Sequence, residues 1–152
     1  MCEQTTVLAG VQSWRRDAGE EPLAGAETIL FVEDEAFVRN VTSEVLRSVG
    51  YLVLTAQNAA EAVRIYDARC GDVELLLTDV VLPGETGRAM AGRLRRENPE
   101  LKVLLVTGYV EEMGPREGKQ EECLAKPFSA VTLLLRVREL LDRGGLRTGT
   151  DD

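Results

Sequence analysis

Five short apolar runs alternate along the chain with segments of helical periodicity, and this alternation constrains the fold more than any other feature. The first run, residues 28–32, is too short for a helix and is apolar on both faces, which is typical of a strand central to a parallel sheet. The alternation therefore predicts an α/β domain in which helices cover both sides of a parallel sheet. The predicted strands are residues 28–32, 51–56, 75–79, 101–107 and 123–125.

Four segments carry an apolar stripe at helical spacing, and another is irregular. The predicted helices cover residues 36–49, 58–68, 87–97 and 129–143. The last of them is expected to stop at Gly144-Gly145. Between residues 110 and 121, the breakers Gly114, Pro115 and Gly118 predict a short or irregular fourth helix. The inward face of the first helix is predicted to be Phe37, Val38, Val41, Val45 and Val49.

The pattern indicates one domain between two tails. We predict a domain over residues 27–143, with flexible tails over residues 1–26 and 144–152, because neither end shows a sustained period. The lone Trp14 in the first tail is interpreted as incidental. In a chain of 152 residues, a 44% share of apolar residues is enough for one core.

Charge and residue content exclude several classes of function. A formal net charge of -8 argues against a nucleic-acid binder, and the absence of histidine removes imidazole chemistry. The three cysteines lie far apart, so they predict neither a disulfide framework nor a zinc site. No apolar run is long enough for a membrane span, and no signal peptide is recognisable. We therefore expect a cytoplasmic protein that does not contact membranes.

Polar residues stand at the ends of four predicted strands, and they are the candidate site. Because the carboxyl ends of parallel strands meet at one edge, these residues should lie close together. They are Glu33, Asp34, Asp79, Thr107 and Lys126. Three carboxylates in one cleft repel each other, and a hard divalent cation, most simply Mg²⁺, would offset that repulsion. The lysine and the hydroxyl suit an anion such as a phosphoryl group. Taken alone, a carboxylate at Asp79 could be a nucleophile, a cation ligand, a helix cap or a residue that begins the turn before Pro83-Gly84.

Four motifs in this order carry a resemblance to a known family. They are Val32-Glu33-Asp34-Glu35, Leu77-Thr78-Asp79-Val80-Val81-Leu82-Pro83-Gly84, Val106-Thr107-Gly108-Tyr109 and Ala125-Lys126-Pro127-Phe128. Between about Glu27 and Arg143 the chain resembles the receiver domains of two-component response regulators, in particular those at the C-termini of hybrid histidine kinases. The resemblance implies a flavodoxin-like (βα)₅ fold, a doubly wound five-stranded parallel sheet with strand order 2-1-3-4-5.

The resemblance also implies a mechanism. Asp79 would accept a phosphoryl group from a phosphohistidine of a histidine kinase or a histidine phosphotransfer protein. Mg²⁺ would be held by Glu33 or Asp34, by Asp79 and by the backbone carbonyl of Val81. Such a domain is a signalling phosphoacceptor rather than an enzyme, and it acts on a downstream protein target, with a homodimer as one possible assembly.

The same resemblance assigns the switch. Lys126 would pair with the phosphoryl group, Thr107 would hydrogen-bond it, and the Lys126-Pro127 peptide is expected to be cis. The family usually has an aromatic ring where this chain has Cys123, and we expect Tyr109 to take over part of that ring's role. Glu33 stands where an aspartate is commoner.

Two other functions remain open. A receiver-shaped module that takes no phosphate could serve only as an interaction surface. A Mg²⁺-dependent phosphatase with an aspartate nucleophile is the second alternative. It is disfavoured because phosphatases of the haloacid dehalogenase type need an acidic residue two positions after the nucleophile, where this chain has Val81.

Overall fold

A computed structural model describes residues 23–70, 72–108 and 122–151, with side chains described as far as residue 143. Five strands form one sheet in the order β2-β1-β3-β4-β5, and every neighbouring pair is parallel. The strands are β1 (Thr28–Val32), β2 (Leu52–Ala56), β3 (Leu75–Asp79), β4 (Lys102–Thr107) and β5 (Glu122–Ala125). The predicted flavodoxin-like topology is confirmed.

Four helices lie in the described part of the chain. They are α1 (Ala36–Ser48), α2 (Ala59–Ala68), α3 (Gly87–Glu97) and α4 (Ala130–Asp151). Side-chain oxygens of Asn58 and Thr86 cap α2 and α3 by accepting backbone N–H groups of the first turn. The predicted irregular helix at residues 110–121 lies outside the described residues. None of the described helices combines the length and apolarity needed to cross a lipid bilayer.

The sheet divides the core into two layers, because alternate side chains of a strand point to opposite faces. In β1, Ile29 and Phe31 belong to the layer under α1 and α4, whereas Leu30 and Val32 belong to the layer under α2 and α3. All five residues of β1 are buried. The prediction that the first strand is buried on both faces is therefore confirmed.

The inward face of α1 differs from the prediction. Phe37 is 75% exposed and Val41 is 47% exposed, although both were expected to face the core. The buried positions of the helix are Thr42, Ser43 and Leu46. An apolar pattern does not identify this face, because two of its three buried residues carry hydroxyl groups.

Both ends of the domain also differ from the predicted boundaries. Leu23, which was placed in the N-terminal tail, is 1% exposed and packs into the core. The N–H of Gly25 donates to the carbonyl of Val49 at 3.0 Å, which fixes this segment to the end of α1. At the other end, the backbone of α4 continues through Gly144-Gly145 to Asp151. Glycine weakens a helix but keeps its N–H, so it does not force the helix to end.

Candidate functional site

Three carboxylates meet at the carboxyl edge of the sheet. Glu33 and Asp34 follow β1, Asp79 ends β3, and these two strands are neighbours. One carboxylate oxygen from each residue lies within 4.8 Å of the others. Glu33 is 2% exposed and Asp79 is 6% exposed, whereas Asp34 is exposed. The site is thus a buried acidic pair with a third carboxylate at its mouth.

Lys126 reaches this acidic pair from the end of β5. Its Nζ lies 3.4 Å from Glu33 Oε1 and 3.4 Å from Asp79 Oδ1. The backbone N–H of Lys126 donates to the carbonyl of Thr107 at 2.8 Å, which fixes the turn after β5 to the end of β4. The Lys126-Pro127 peptide is cis, as predicted. One ammonium group therefore bridges two carboxylates.

The charges in the site are out of balance. Burial raises the pKa of Asp79 well above its usual range, and the hydrogen bond with Glu33 and the charge of Glu33 raise it further, against the opposing effect of Lys126. Partial burial opposes the charged form of Lys126, but Asp79 and Glu33 outweigh it and raise the pKa of the ammonium. A further cation would allow the acidic pair to ionise fully.

Backbone contacts hold the acidic loop in place. The N–H of Glu33 donates to the carbonyl of Ala56 at 3.0 Å, and Arg39 Nη1 donates to the carbonyl of Glu33 at 2.7 Å. The N–H of Glu35 donates to Glu33 Oε2 at 3.0 Å. The sequence analysis missed Arg39, although an arginine one turn into the helix after an acidic pair is placed to reach back to the loop.

Gly87, the first residue of α3, is the second residue that the sequence analysis missed. A Cβ atom at this position would overlap the backbone carbonyl oxygen of Asp79. The N–H of Gly87 also donates to the carbonyl of Val80 at 2.8 Å. The start of α3 is therefore packed directly against the strand end that carries Asp79.

Of the remaining predicted residues, those that are described lie at the ends of β3 and β4 or within β5. Thr107 ends β4 and is 6% exposed, and Val81 follows Asp79 closely with its side chain 58% exposed. Cys123 is partly buried in β5 and packs against the core layer under α2 and α3. Tyr109 lies outside the described residues. The switch roles of Thr107, Tyr109 and Cys123, and the role of the Val81 carbonyl, stay predictions.

The donor set fits a hard divalent cation. All three grouped side chains offer carboxylate oxygens, which are the ligands that Mg²⁺ prefers. Within the described part of the chain, the buried Asp79 Oδ1 accepts no hydrogen bond, and its cationic neighbour Lys126 is at 3.4 Å. A buried carboxylate oxygen in this state has lone pairs free to bind a metal ion or to attack the phosphorus atom of a phosphoryl donor.

Known proteins match this chain in sequence and in structure. The family model of the response regulator receiver domain matches residues 29–138. The sensor kinase CckA of Brucella abortus is 36% identical over 124 residues, which cover 80% of this chain and 13% of that protein. The transcriptional regulatory protein PhoB of Pseudomonas aeruginosa is 33% identical over 124 residues, covering 78% of this chain and 53% of that protein. The chain thus spans about half or less of these relatives.

Solved structures agree. The receiver domain from the hybrid histidine kinase CckA superposes with a TM-score of 0.65 at 35% identity and covers 75% of this chain and 98% of that one. The response regulator TrrA of Thermotoga maritima, crystallised in complex with Mg²⁺-BeF, superposes with a TM-score of 0.67 at 30% identity. The match covers 75% of this chain and 98% of that one. The family model, the relatives and the fold concur, and the chain belongs to the response regulator receiver domain family.

Proposed function

We propose that this domain accepts a phosphoryl group on Asp79 from a phosphohistidine of a cytoplasmic histidine kinase or histidine phosphotransfer protein. The observation that carries the proposal is the grouping of Glu33, Asp34 and Asp79 oxygens within 4.8 Å, with Lys126 at 3.4 Å from two of them. The family consists of signalling phosphoacceptors of two-component systems, which supports the same function.

In the proposed reaction, a carboxylate oxygen of Asp79 forms a bond to phosphorus while the phosphorus–nitrogen bond of the phosphohistidine breaks. The electron pair of that bond stays on the imidazole nitrogen, and the product on this chain is an acyl phosphate. A bound Mg²⁺ would supply positive charge to the phosphoryl oxygens and to the crowded carboxylates. The residues that would hold it are Glu33 or Asp34, Asp79 and the carbonyl of Val81.

In this proposal, Lys126 and Thr107 bind the phosphoryl group after it has been transferred to Asp79. The ammonium of Lys126, which pairs with two carboxylates before the reaction, turns to the phosphoryl oxygens after it. The Thr107 hydroxyl donates a hydrogen bond to the same group. Since the backbone N–H of Lys126 is hydrogen-bonded to the carbonyl of Thr107, movement of either residue also moves the ends of β4 and β5. A downstream protein target, or a second copy of the domain, would bind the altered surface, with Tyr109 and Cys123 as part of the switch.

The test is phosphorylation by a small donor. We expect incubation with acetyl phosphate and Mg²⁺ to add the mass of one phosphoryl group, as measured by intact-protein mass spectrometry. The adduct should be absent in Asp79→Asn and after chelation of the metal, and present in the control Asp67→Asn, which changes an exposed carboxylate on α2. A wild-type chain that forms no adduct would instead be the phosphate-independent module. Steady turnover of p-nitrophenyl phosphate would support the phosphatase.

A further inference from the structure

Arg39, one turn into α1, contacts both ends of the acidic loop formed by residues 33–35. Its Nη1 donates to the carbonyl oxygen of Glu33 at 2.7 Å, and its backbone N–H donates to the carbonyl of Glu35 at 2.9 Å. The side chain of Glu35, which is the N-cap of α1, makes no capping hydrogen bond. The start of the helix is therefore tied to the loop by Arg39 instead.

This contact helps to fix the backbone of Glu33. The N–H of Glu33 donates to the carbonyl of Ala56 at 3.0 Å, so the peptide groups on both sides of the residue are held. The carboxylate is held as well, because Oε2 accepts the N–H of Glu35 and Oε1 lies 3.4 Å from Lys126 Nζ. A glutamate side chain has more rotatable bonds than an aspartate and loses more freedom when it is placed. A fixed backbone limits that loss.

Arg39 can act on a cation at the site in two opposite ways. Its positive charge lies beside the acidic loop and repels a cation. Its hydrogen bond to the Glu33 carbonyl keeps the loop in place, which favours binding. Arg39 is only half-buried, so water screens its charge. Contacts that orient the residues binding a metal are typically worth roughly tenfold or more in metal affinity. The hydrogen bond should therefore outweigh the charge.

We propose that Arg39 is a positioning residue that holds Glu33 and Asp34 in place for Mg²⁺, and that its loss weakens Mg²⁺ binding although it removes a positive charge. This role rests on the Mg²⁺ site of the proposed function. The candidate ligands come from the ends of two strands, β1 and β3. Such a site binds best when both strand ends are held before the cation arrives. Arg39 supplies part of that hold for the end of β1.

Arg47 offers a matched control near the opposite end of α1. Its Nη2 donates to the carbonyl of Val53 at 2.9 Å, so it makes the same kind of contact as Arg39. Val53 lies within β2, and this contact does not involve the acidic loop. Arg47→Met therefore removes the same charge and the same kind of hydrogen bond from the same helix, away from the candidate ligands.

Urea unfolding of the intact protein at increasing MgCl₂ and constant ionic strength tests the proposal. The free energy of unfolding without Mg²⁺ reports on the fold alone, and its rise with Mg²⁺ gives the Kd of the ion. We expect Arg39→Met to raise this Kd roughly tenfold. Arg39→Lys keeps the charge and a shorter donor, so its Kd should fall between those of Arg39→Met and the wild type. Arg47→Met should keep the wild-type Kd.

The phosphorylation reaction gives a second measurement. The Mg²⁺ concentration that supports half the maximal rate of adduct formation with acetyl phosphate should rise in Arg39→Met by the same factor as the Kd. A variant that is merely less stable would not show this rise, because a weaker fold in metal-free buffer does not change the affinity of the folded protein for the ion.

Three results would overturn the proposal. They are a wild type that Mg²⁺ does not stabilise, an Arg39→Met variant with an unchanged or lower Kd, and an Arg47→Met variant whose Kd rises as much as that of Arg39→Met. A lower Kd in Arg39→Met would mean that the charge dominates. Failure of the proposed function is a separate result. A wild type that binds Mg²⁺ but forms no Asp79 adduct would refute phosphoryl transfer and leave the role of Arg39 standing.

Discussion

Asp79 is held in a state that disfavours its own charge. It is buried beside Glu33, and a single ammonium group, that of Lys126, contacts both carboxylates at 3.4 Å. A buried pair of like charges is destabilising unless cations balance it, and one lysine balances only one of two carboxylates. An ionised Asp79 is therefore a cost to stability, which the proposed role as phosphoacceptor would explain.

The Asp79→Asn change should accordingly stabilise the fold in metal-free buffer at neutral pH. The amide has a similar shape and carries no charge, and we expect a gain of about 1–2 kcal/mol in the free energy of unfolding. Urea unfolding with and without Mg²⁺ measures it. Mg²⁺ should stabilise the wild type and have little effect on the variant. The control Asp67→Asn should stay within about 0.5 kcal/mol of the wild type. A destabilised Asp79→Asn would contradict the argument.

At this scale the sequence predicted which residues come together but not how they are bonded. Strand-end positions were enough to place Glu33, Asp34, Asp79 and Lys126 in one cluster, because parallel strands end at the same edge. The contact of Arg39 with the Glu33 carbonyl depends on side-chain direction at the start of a helix. Helical spacing places Arg39 where it can reach back to the loop, but it does not specify which oxygen the guanidinium contacts.

The start of α3 is packed so closely against the end of β3 that only glycine fits between them. A Cβ atom at Gly87 would overlap the Asp79 carbonyl oxygen, whereas a Cβ atom at Gly92 in the same helix would meet nothing within 4 Å. The nearest obstacle is backbone, the Asp79 carbonyl, rather than the end of a flexible side chain that could move away. The two glycines of one helix should thus respond in opposite ways to the same substitution.

We expect Gly87→Ala to lower the free energy of unfolding by about 1–3 kcal/mol, as overpacking does. Gly92→Ala should raise it by roughly 0.5–1 kcal/mol, because alanine favours helix over glycine. Chemical denaturation of both variants gives the comparison. If Gly87→Ala matched the wild type in stability, α3 would have to shift freely relative to Asp79, which their close packing does not allow.

Elements were predicted better than their faces. The predicted bounds of α3 agree with the structure, and this helix buries apolar residues, among them Met90, Ala91 and Leu94. The pattern failed for α1, where Thr42 and Ser43 are buried and Phe37 is exposed. Apolar periodicity identifies the buried face of a helix only when the buried residues are the apolar ones.

Across the whole molecule, Arg138 joins the two ends of the described chain. Its Nη2 donates to Glu27 Oε2 at 2.6 Å, and its Nη1 donates to the carbonyl of Ala24 at 3.0 Å and to the hydroxyl of Tyr51 at 3.1 Å. The side chain is 14% exposed. The last helix is thus fixed to the segment before β1, at the amino edge of the sheet, opposite the carboxyl edge that carries Asp79.

This pairing predicts a pH dependence. The hydrogen bond from Arg138 outweighs partial burial and lowers the pKa of Glu27. The Arg138–Glu27 pair contributes to stability above the pKa that Glu27 has in the unfolded chain, about 4.3. This contribution is lost as the pH falls through the lower pKa that Glu27 has in the folded protein. Glu27→Gln should therefore be less stable than the wild type at neutral pH, by under about 1 kcal/mol for a partly exposed pair. The two proteins should converge in strong acid, and a difference in unfolding free energy that stays constant from neutral to acidic pH would contradict the pairing.

The burial of Leu23 sets the smallest fragment that can keep this core intact. A truncated chain that begins at Thr28, the first residue of β1, would lack Leu23. This would leave a void lined by side chains of the core layer under α1 and α4. It would also strip Arg138 of Glu27 and of the Ala24 carbonyl. The shortest fragment that keeps the core intact is therefore longer than the stretch that carries the family's motifs. A shorter version that keeps every residue of the proposed phosphoryl site would still lose contacts that stabilise the fold.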